Sequence, residues 1–464
     1  MPLTLDTHLA RIPELGTPSR HAFALFEVSA QRAGISPATR LADDAPYRDA
    51  DPDPNARSPI FVALAIDASS SMRGPRFALA VQTARDLVDS LAPADRVAVI
   101  TFERHSRLAL PPTSIDDEGK LEAHRVLDRL STGTGTNMAA GWREAAEAMS
   151  RLMLPESSRR IILLTDGLPS QGEKDPAALA KMVSEGRTRG LETSVVGLGD
   201  GIDEALCAQL ARAGDGRFFY VRNESLLGDV VAHEIEGARR LAATDTTLVL
   251  AFSARVDRAE VMHRFQCHTE KRSVEVRLGA VAYQMPRVVL VQMEVHDAAS
   301  DAVLGAAVAR GRAVIERRGA PTSAGYPLGA RAAGEVSDDR ETSSERLTLS
   351  LAAGLGPEES RRRIALEVLS LRTLAEVRAA WEGFDARDRD AVARRLGRAR
   401  ELRVKLADAG LVPAGAVPSL PDVDAIEAAM LGSGDAREAR RTFASWAHNT
   451  QTSQPMPAFV KKKE

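Results

Sequence analysis

The chain has 464 residues, 44% of them apolar and 27% charged, with a net charge of −3. That is more chain than one ordinary core absorbs, so two or three domains are expected, and the charge balance excludes a global basic field for nucleic acid. No run of about 18 apolar residues is present, which excludes a membrane-spanning helix, and residues 1–8 lack the basic and apolar regions of a signal peptide.

Residues 1–35 read as extended. Leu3, Leu5, Leu9 and Ile12 are interrupted by polar residues, Gly16-Thr17-Pro18 marks a turn, and residues 22–28 are a second strand candidate. Two strands alone are marginal in water, so they are expected to pair with something later in the chain. Residues 36–57 form a linker rich in Asp, Pro and Ala. Asp49, Asp51, Asp53 and Asn55 alternate as in a calcium loop, but the sixth position is Pro54 and the twelfth is Ile60, so the loop reads as a solvated linker.

Residues 58–241 alternate apolar runs with amphipathic stretches, the pattern of an α/β domain with a parallel sheet. Six apolar residues run without a break from Phe61 to Ile66 and end at Asp67. Such a run suits a strand buried on both faces. A helix follows over 75–91, then strands at 96–102 and 106–110 and a helix over 120–130. The Gly/Thr-rich loop 131–137 leads to a helix over 138–154. Strand 160–165 ends at Asp166-Gly167. Helix 176–190, strand 192–198, helix 203–213, strand 216–221 and a closing helix over 224–241 complete the domain. His233-Glu234 on that helix reads as a surface pair. Gly197-Leu198-Gly199-Asp200-Gly201 lacks the spacing of a dinucleotide loop and reads as a turn.

Residues 242–316 switch to period-2 alternation, with strands at 247–252, 273–278, 287–295 and 302–315. These fit an antiparallel sandwich, and they give residues 1–35 their partners, so the α/β domain is expected to be inserted in a loop of the sandwich. Residues 317–345 read as a linker and 346–448 as a C-terminal helical region whose Leu-rich stripe packs internally. Residues 449–464, ending in Lys461-Lys462-Lys463, read as a disordered tail. The two cysteines, Cys207 and Cys267, are too few for a disulfide or thiolate-metal framework. They read as buried free thiols in a reducing compartment, and a cytoplasmic location is expected. Arginine strongly outnumbers lysine, which points to a GC-rich bacterial genome.

Three stretches carry the chemistry. Asp67-Ala68-Ser69-Ser70-Ser71 ends the first strand of the α/β domain, Gly135-Thr136-Asn137 precedes a helix, and Asp166-Gly167 ends the fourth strand. In a doubly wound sheet of order 3-2-1-4-5-6 the first and fourth strands are neighbours, and the order reverses between them, where ligands bind. Two ionised carboxylates side by side are costly without a cation, and carboxylates with hydroxyls are hard ligands suited to Mg²⁺ or Ca²⁺. Asp-x-Ser-x-Ser taken alone is an ordinary helix-cap candidate; Thr136 and Asp166 at the right places change that.

With these residues the sequence resembles the von Willebrand factor A (VWA) family and its metal-ion-dependent adhesion site (MIDAS), an Asp-x-Ser-x-Ser with a distant Thr and a later Asp, often in Thr-Asp-Gly. The resemblance implies a doubly wound, Rossmann-like α/β domain inserted in an antiparallel β-sandwich and followed by helices. It implies metal ligation by Asp67, Ser69, Ser71, Thr136 and Asp166, with Mg²⁺ as the ion and Mn²⁺ or Ca²⁺ as alternatives. One departure is Ser70, where the family often has Gly. By the same resemblance the function is capture of a protein partner's Asp or Glu at the open metal position, as an adaptor or scaffold in a bacterial intracellular complex. Bacterial relatives of this type work beside AAA+ ATPases, kinases or phosphatases. Neither a nucleic acid nor a membrane partner is expected, and no enzyme activity. The alternatives are a structural subunit of a larger assembly and a Mg²⁺-dependent phosphotransferase or hydrolase; the last would want Asp at position 69 and a helper lysine, and neither is present.

Overall fold

The computed structural model describes residues 3–16, 20–30, 59–151, 158–221, 234–235, 238, 241–283, 285–296, 302–313, 341–344, 347–351, 357–412, 422–432 and 435–452. Strand β3 (Ile60–Asp67) is buried along its whole length, as its unbroken apolar run requires. It pairs in parallel with β4 (Arg96–Phe102) on one side and β6 (Ser158–Thr165) on the other. β7 (Leu191–Leu198) and β8 (Asp215–Val221) extend the parallel sheet, and β5 (Ser106–Ser114) closes the opposite edge antiparallel to β4. The order β5-β4-β3-β6-β7-β8 is the expected doubly wound one, with its switch point between β3 and β4 on one side and β6 on the other.

The period of two sorts the strand residues into two cores. Ile60, Val62, Leu64 and Ile66 pack with Phe77, Ala80 and Leu87 of helix α1 (Pro75–Ser90) and with Leu127 of α2 (Asp117–Leu127). Phe61, Ala63 and Ala65 pack on the other face with Met138 and Trp142 of α3 (Met138–Ser150), and this layer also takes in α4 (Pro176–Arg187) and α5 (Glu204–Ala213).

The antiparallel strands form two facing sheets. One has the order β1 (Leu3–Ala10), β2 (His21–Ala30), β13 (Arg287–Val295), β10 (Val256–Val261). The other runs β11 (Gln266–Glu270), β12 (Ser273–Ala282), β9 (Leu241–Phe252), β14 (Ala302–Ala313), β15 (Glu341–Ser343), with β16 (Leu347–Leu351) also on β14. The N-terminal strands thus find their partner in β13, with Leu25 opposite Leu290. The α/β unit lies between β2 and β9 in sequence. β2 is buried on both faces: Ala22, Ala24, Phe26 and Val28 enter the sandwich core, while Phe23 and Leu25 face the helices α6 (Glu358–Asp385), α7 (Arg389–Asp408), α8 (Val423–Leu431) and α9 (Ala436–Gln451). The Leu-rich stripe of α6 is spent here, against Leu290 and the first sheet. Among the described residues no helix is long and apolar enough to cross a membrane.

The structure corrects four expectations. Cys207 is buried and free, but Cys267 is exposed, because β11 is an edge strand with every residue open to solvent. Glu234 is wholly buried, not a surface residue: it pairs with Arg160 at 2.9 Å and Arg217 at 2.7 Å and accepts a hydrogen bond from Ser194. Residues 341–343 and 347–351, expected as linker and helical region, are strands paired to β14. Asn449, expected in the tail, is buried within α9, where its amide bonds β8. The alternating Asp residues 49–53, most of the closing helix and Lys461–Lys463 lie outside the described residues.

Candidate metal centre

The chain leaves β3 at Asp67 and turns at once. Ala68 keeps the ladder one residue further, donating to the Phe102 carbonyl at 2.8 Å. The Ser69 amide then bonds back to Asp67 Oδ1 at 2.9 Å, closing a local turn that aims the carboxylate and the Ser69 hydroxyl at the same point. Residues 70–72 make one 3₁₀ turn, in which buried Met72 pins the loop to the core. Gly74, at φ 90° and ψ −135°, takes a conformation open in practice to glycine alone, and Pro75 starts α1.

The hydroxyls and carboxylates join in one chain. Ser69 Oγ lies 2.9 Å from Ser71 Oγ, and Ser71 Oγ donates to Asp166 Oδ1 at 2.8 Å. Asp67, Ser69 and Asp166 are almost completely buried, whereas Ser71 is exposed at the mouth. Thr136 is buried, and its loop is fastened to both sides of the site. Gly133 N donates to the Ala68 carbonyl at 2.7 Å, and the Thr136 carbonyl accepts from Ser170 N at 2.9 Å and Gln171 N at 3.2 Å. Thr136 N in turn donates to Ser170 Oγ at 2.9 Å. The five residues singled out in the sequence therefore share one end of the parallel sheet, four of them directly linked or adjacent through Asp67–Ser69.

Two further residues escaped the sequence reading. Thr165, fully buried, donates from Oγ1 to Asp67 Oδ2 at 2.7 Å, so both Asp67 oxygens are engaged. Arg76 Nη1 donates to Asp166 Oδ2 at 3.0 Å. The Thr-Asp-Gly string was a signal for the first; nothing in the spacing of Arg76 marked the second.

Burial pushes Asp67 up to about 6, against the hydrogen bonds from Ser69 and Thr165 and with a smaller push from the charge of Asp166. A buried carboxylate that resists ionisation, with a second buried carboxylate beside it, is the environment a cation relieves. Nowhere among the described residues do three His, Cys, Asp or Glu side chains converge to hold a metal ion, so a metal here would be held mainly through hydroxyls. Two carboxylates and three hydroxyls form an all-oxygen set, which fits Mg²⁺, Mn²⁺ or Ca²⁺ and does not fit a thiolate- or imidazole-seeking metal.

The family model of the von Willebrand factor type A domain matches residues 62–233. The chain is similar to the uncharacterized protein YfbK of Escherichia coli (strain K12), 30% identical over 213 residues, which cover 46% of this chain and 36% of that one. The chain thus spans about a third of that relative's length. Among solved structures, a von Willebrand factor type A protein from Catenulispora acidiphila superposes with a TM-score of 0.61 at 15% identity, covering 88% of each chain. The ArnB paralog VWA2 from Sulfolobus acidocaldarius superposes with a TM-score of 0.53 at 16% identity, over 98% of this chain and 99% of that one. At these identities the likeness is one of fold: the Rossmann-like α/β unit with its flanking antiparallel sheets and C-terminal helices.

Proposed function

We propose that this chain is a metal-dependent protein-binding module. The observation that carries the reading is the convergence of Asp67, Ser69, Ser71 and Asp166 into one hydrogen-bonded cluster at the switch point of the sheet, with the Thr136 loop fastened beside it. Asp67, Ser69, Ser71, Thr136 and Asp166 would hold a divalent ion, Mg²⁺ in the first place and Mn²⁺ or Ca²⁺ as substitutes. When bound, the ion supplies a coordination position for an Asp or Glu carboxylate of a partner protein. The chain's own residues do the rest. Thr165 holds the Asp67 carboxylate in one orientation, and Met72 fixes the serine loop. Ser71 presents its hydroxyl at the solvent side. Leu168, 54% exposed two residues beyond Asp166, offers an apolar contact at the rim. The partner belongs to an intracellular bacterial complex, of the kind built around AAA+ ATPases, kinases or phosphatases.

The test is a pull-down from the source bacterium's lysate with Mg²⁺ or EDTA. Asp67→Ala and Thr136→Ala are expected to lose the captured partner while melting within a few degrees of the wild type. Equal capture by these variants, or capture indifferent to EDTA, overturns the reading. The buried Asp67–Asp166 pair favours a second role for the same ion, stabilisation of the fold; a melting temperature that falls with EDTA while capture persists would select it.

A further inference from the structure

Arg76 is not one of the five residues of the metal site, yet it is built into it. Its Nη1 donates to Asp166 Oδ2 at 3.0 Å, the oxygen that Ser71 leaves free. The contact is seated, not incidental. The guanidinium lies against the backbone of Gly199, where a Cβ would come within 2.8 Å of Nε and 3.0 Å of Cζ and Nη2. Gly199 also has φ +70°, so this turn is formed by glycine on two counts. Asp166 is completely buried, whereas the Arg76 side chain is 39% exposed, so the guanidinium is committed to the carboxylate and still reaches solvent. Asp166 is its sole hydrogen-bond partner among the described residues.

The charge balance gives this placement its meaning. Asp67 and Asp166 alone would neutralise a divalent ion and leave the loaded site without net charge. With Arg76 the loaded site keeps one positive charge, close to the position where a partner group arrives. A neutral loaded site accepts water, a hydroxyl or an amide oxygen nearly as readily as a carboxylate; a positive one favours the anion. The same charge opposes the metal, because like charges repel and ligand charge tunes divalent affinity. We propose that Arg76 sets the selectivity of the site, lowering its affinity for the divalent ion and raising its preference for a carboxylate as the incoming group. The inference rests on the metal-binding reading above and adds the residue that makes the capture specific for acidic partners.

The opposite signs make it testable. Mn²⁺ binding to the full chain is measured by the loss of the free-ion paramagnetic resonance signal, with and without sodium acetate as the carboxylate probe. At a separation of roughly 6 Å, even water-like screening makes one unit charge worth about a tenfold change in affinity for a doubly charged ion. Arg76→Met is expected to bind Mn²⁺ about tenfold more tightly than the wild type. Acetate should strengthen Mn²⁺ binding to the wild type, since coupling between two ligands is reciprocal, and lose that effect in Arg76→Met. Arg76→Lys keeps the charge and should behave as the wild type in both respects. A merely structural arginine predicts the reverse, weaker Mn²⁺ binding in Arg76→Met. Unchanged or weaker Mn²⁺ binding by Arg76→Met, or acetate coupling that survives in it, overturns the role of Arg76 while leaving the metal centre standing. If the wild type binds no more Mn²⁺ than Asp67→Ala, the metal centre itself fails, and the role of Arg76 with it.

Discussion

At the scale of single residues, the site shows how few side chains separate an ordinary helix start from a binding centre. Thr165 makes the point. Its hydroxyl fixes the second oxygen of Asp67 in a place closed to water. Thr165→Val keeps the shape and removes the donor, so it should destabilise the protein by about 1–3 kcal/mol, the cost of a buried acceptor left without its partner. Urea denaturation monitored by far-UV dichroism reads this directly, and an unchanged midpoint would mean that water replaces the hydroxyl. Leu168 tests the rim instead: Leu168→Ser should weaken partner capture about tenfold and leave Mn²⁺ affinity as it was, since burying a leucine is worth about 1.5–3 kcal/mol. Asp67, Ser69, Ser71, Thr136 and Asp166 were legible in the sequence because hard ligands at strand ends form a pattern. Arg76 was not, and Thr165 showed only as part of the Thr-Asp-Gly string, because each acts on a ligand through the fold. Arg76 reaches Asp166 across 90 positions, and Thr165 reaches Asp67 across 98.

At the scale of elements, the contact between α9 and β8 is the least expected. β8 is the last strand of the parallel sheet, and among the described residues its outer edge is paired with side chains, not with another strand. Ser445 Oγ and Asn449 Nδ2 each donate to the Phe218 carbonyl at 2.9 Å, Asn449 Oδ1 accepts from Phe218 N at 3.4 Å, and His448 Nε2 donates to the Gly216 carbonyl at 3.2 Å. A polar run such as 449–452 reads as the start of a disordered tail until a strand edge is placed beside it. Burial holds His448 down to about 4, with the charge of Arg212 acting in the same direction and the hydrogen bond to Gly216 opposing. The unfolded chain takes up this proton near 6.5 and the folded one only near 4. Acid therefore favours the unfolded side. The stability contributed by neutral His448 is complete above about 6.5 and is lost as pH falls toward 4, with a magnitude of about 3 kcal/mol. Urea midpoints at pH 7.5, 5.5 and 4.5 should fall steeply in the wild type and more gently in His448→Gln. Parallel slopes for the two proteins would remove His448 from the account.

At the scale of the whole molecule, three layers share their walls. The middle strands β2 and β13 of the sheet β1-β2-β13-β10 are apolar on both faces, one turned to the second sheet and the other to the helices. The α/β unit is tied to the helices by α9 on β8, and within the unit Glu234 of the closing helix is fastened to the sheet. The Glu234 carboxylate is taken out of water altogether. Burial alone would raise it, yet the charges of Arg217 and Arg160 and the Ser194 hydroxyl bring it down to about 2. Glu234→Ala takes the carboxylate from Arg217 and leaves Arg160 with Glu192 alone, and should cost about 3–5 kcal/mol, read as a lower thermal midpoint. Its sequence neighbours gave no hint of this, because the partners lie on β6 and β8, at 74 and 17 positions' distance. The parallel sheet, by contrast, was legible almost strand by strand, since the apolar runs 60–66 of β3 and 161–164 of β6 mark burial on both faces. Strand β15 was not, because three residues are too few for a period of two to show, whereas β16 does alternate as Leu347-Thr348-Leu349-Ser350-Leu351, a signal masked by the helical stretch that follows it.

The covering of β8 also has a consequence in time. During synthesis the strand is complete at Val221, but the helix that seals its edge begins only at Ala436. At roughly 5–20 residues per second, some two hundred further residues take on the order of 10–40 s to emerge. Throughout that interval the sheet is folded enough to present a bare hydrogen-bonding edge and too early to have its cap, and open edges recruit other strands. Ribosomes paused within this stretch should therefore hold the most association-prone form of the protein, and rare codons placed between positions 222 and 435 should raise the insoluble fraction without altering a single residue of the product.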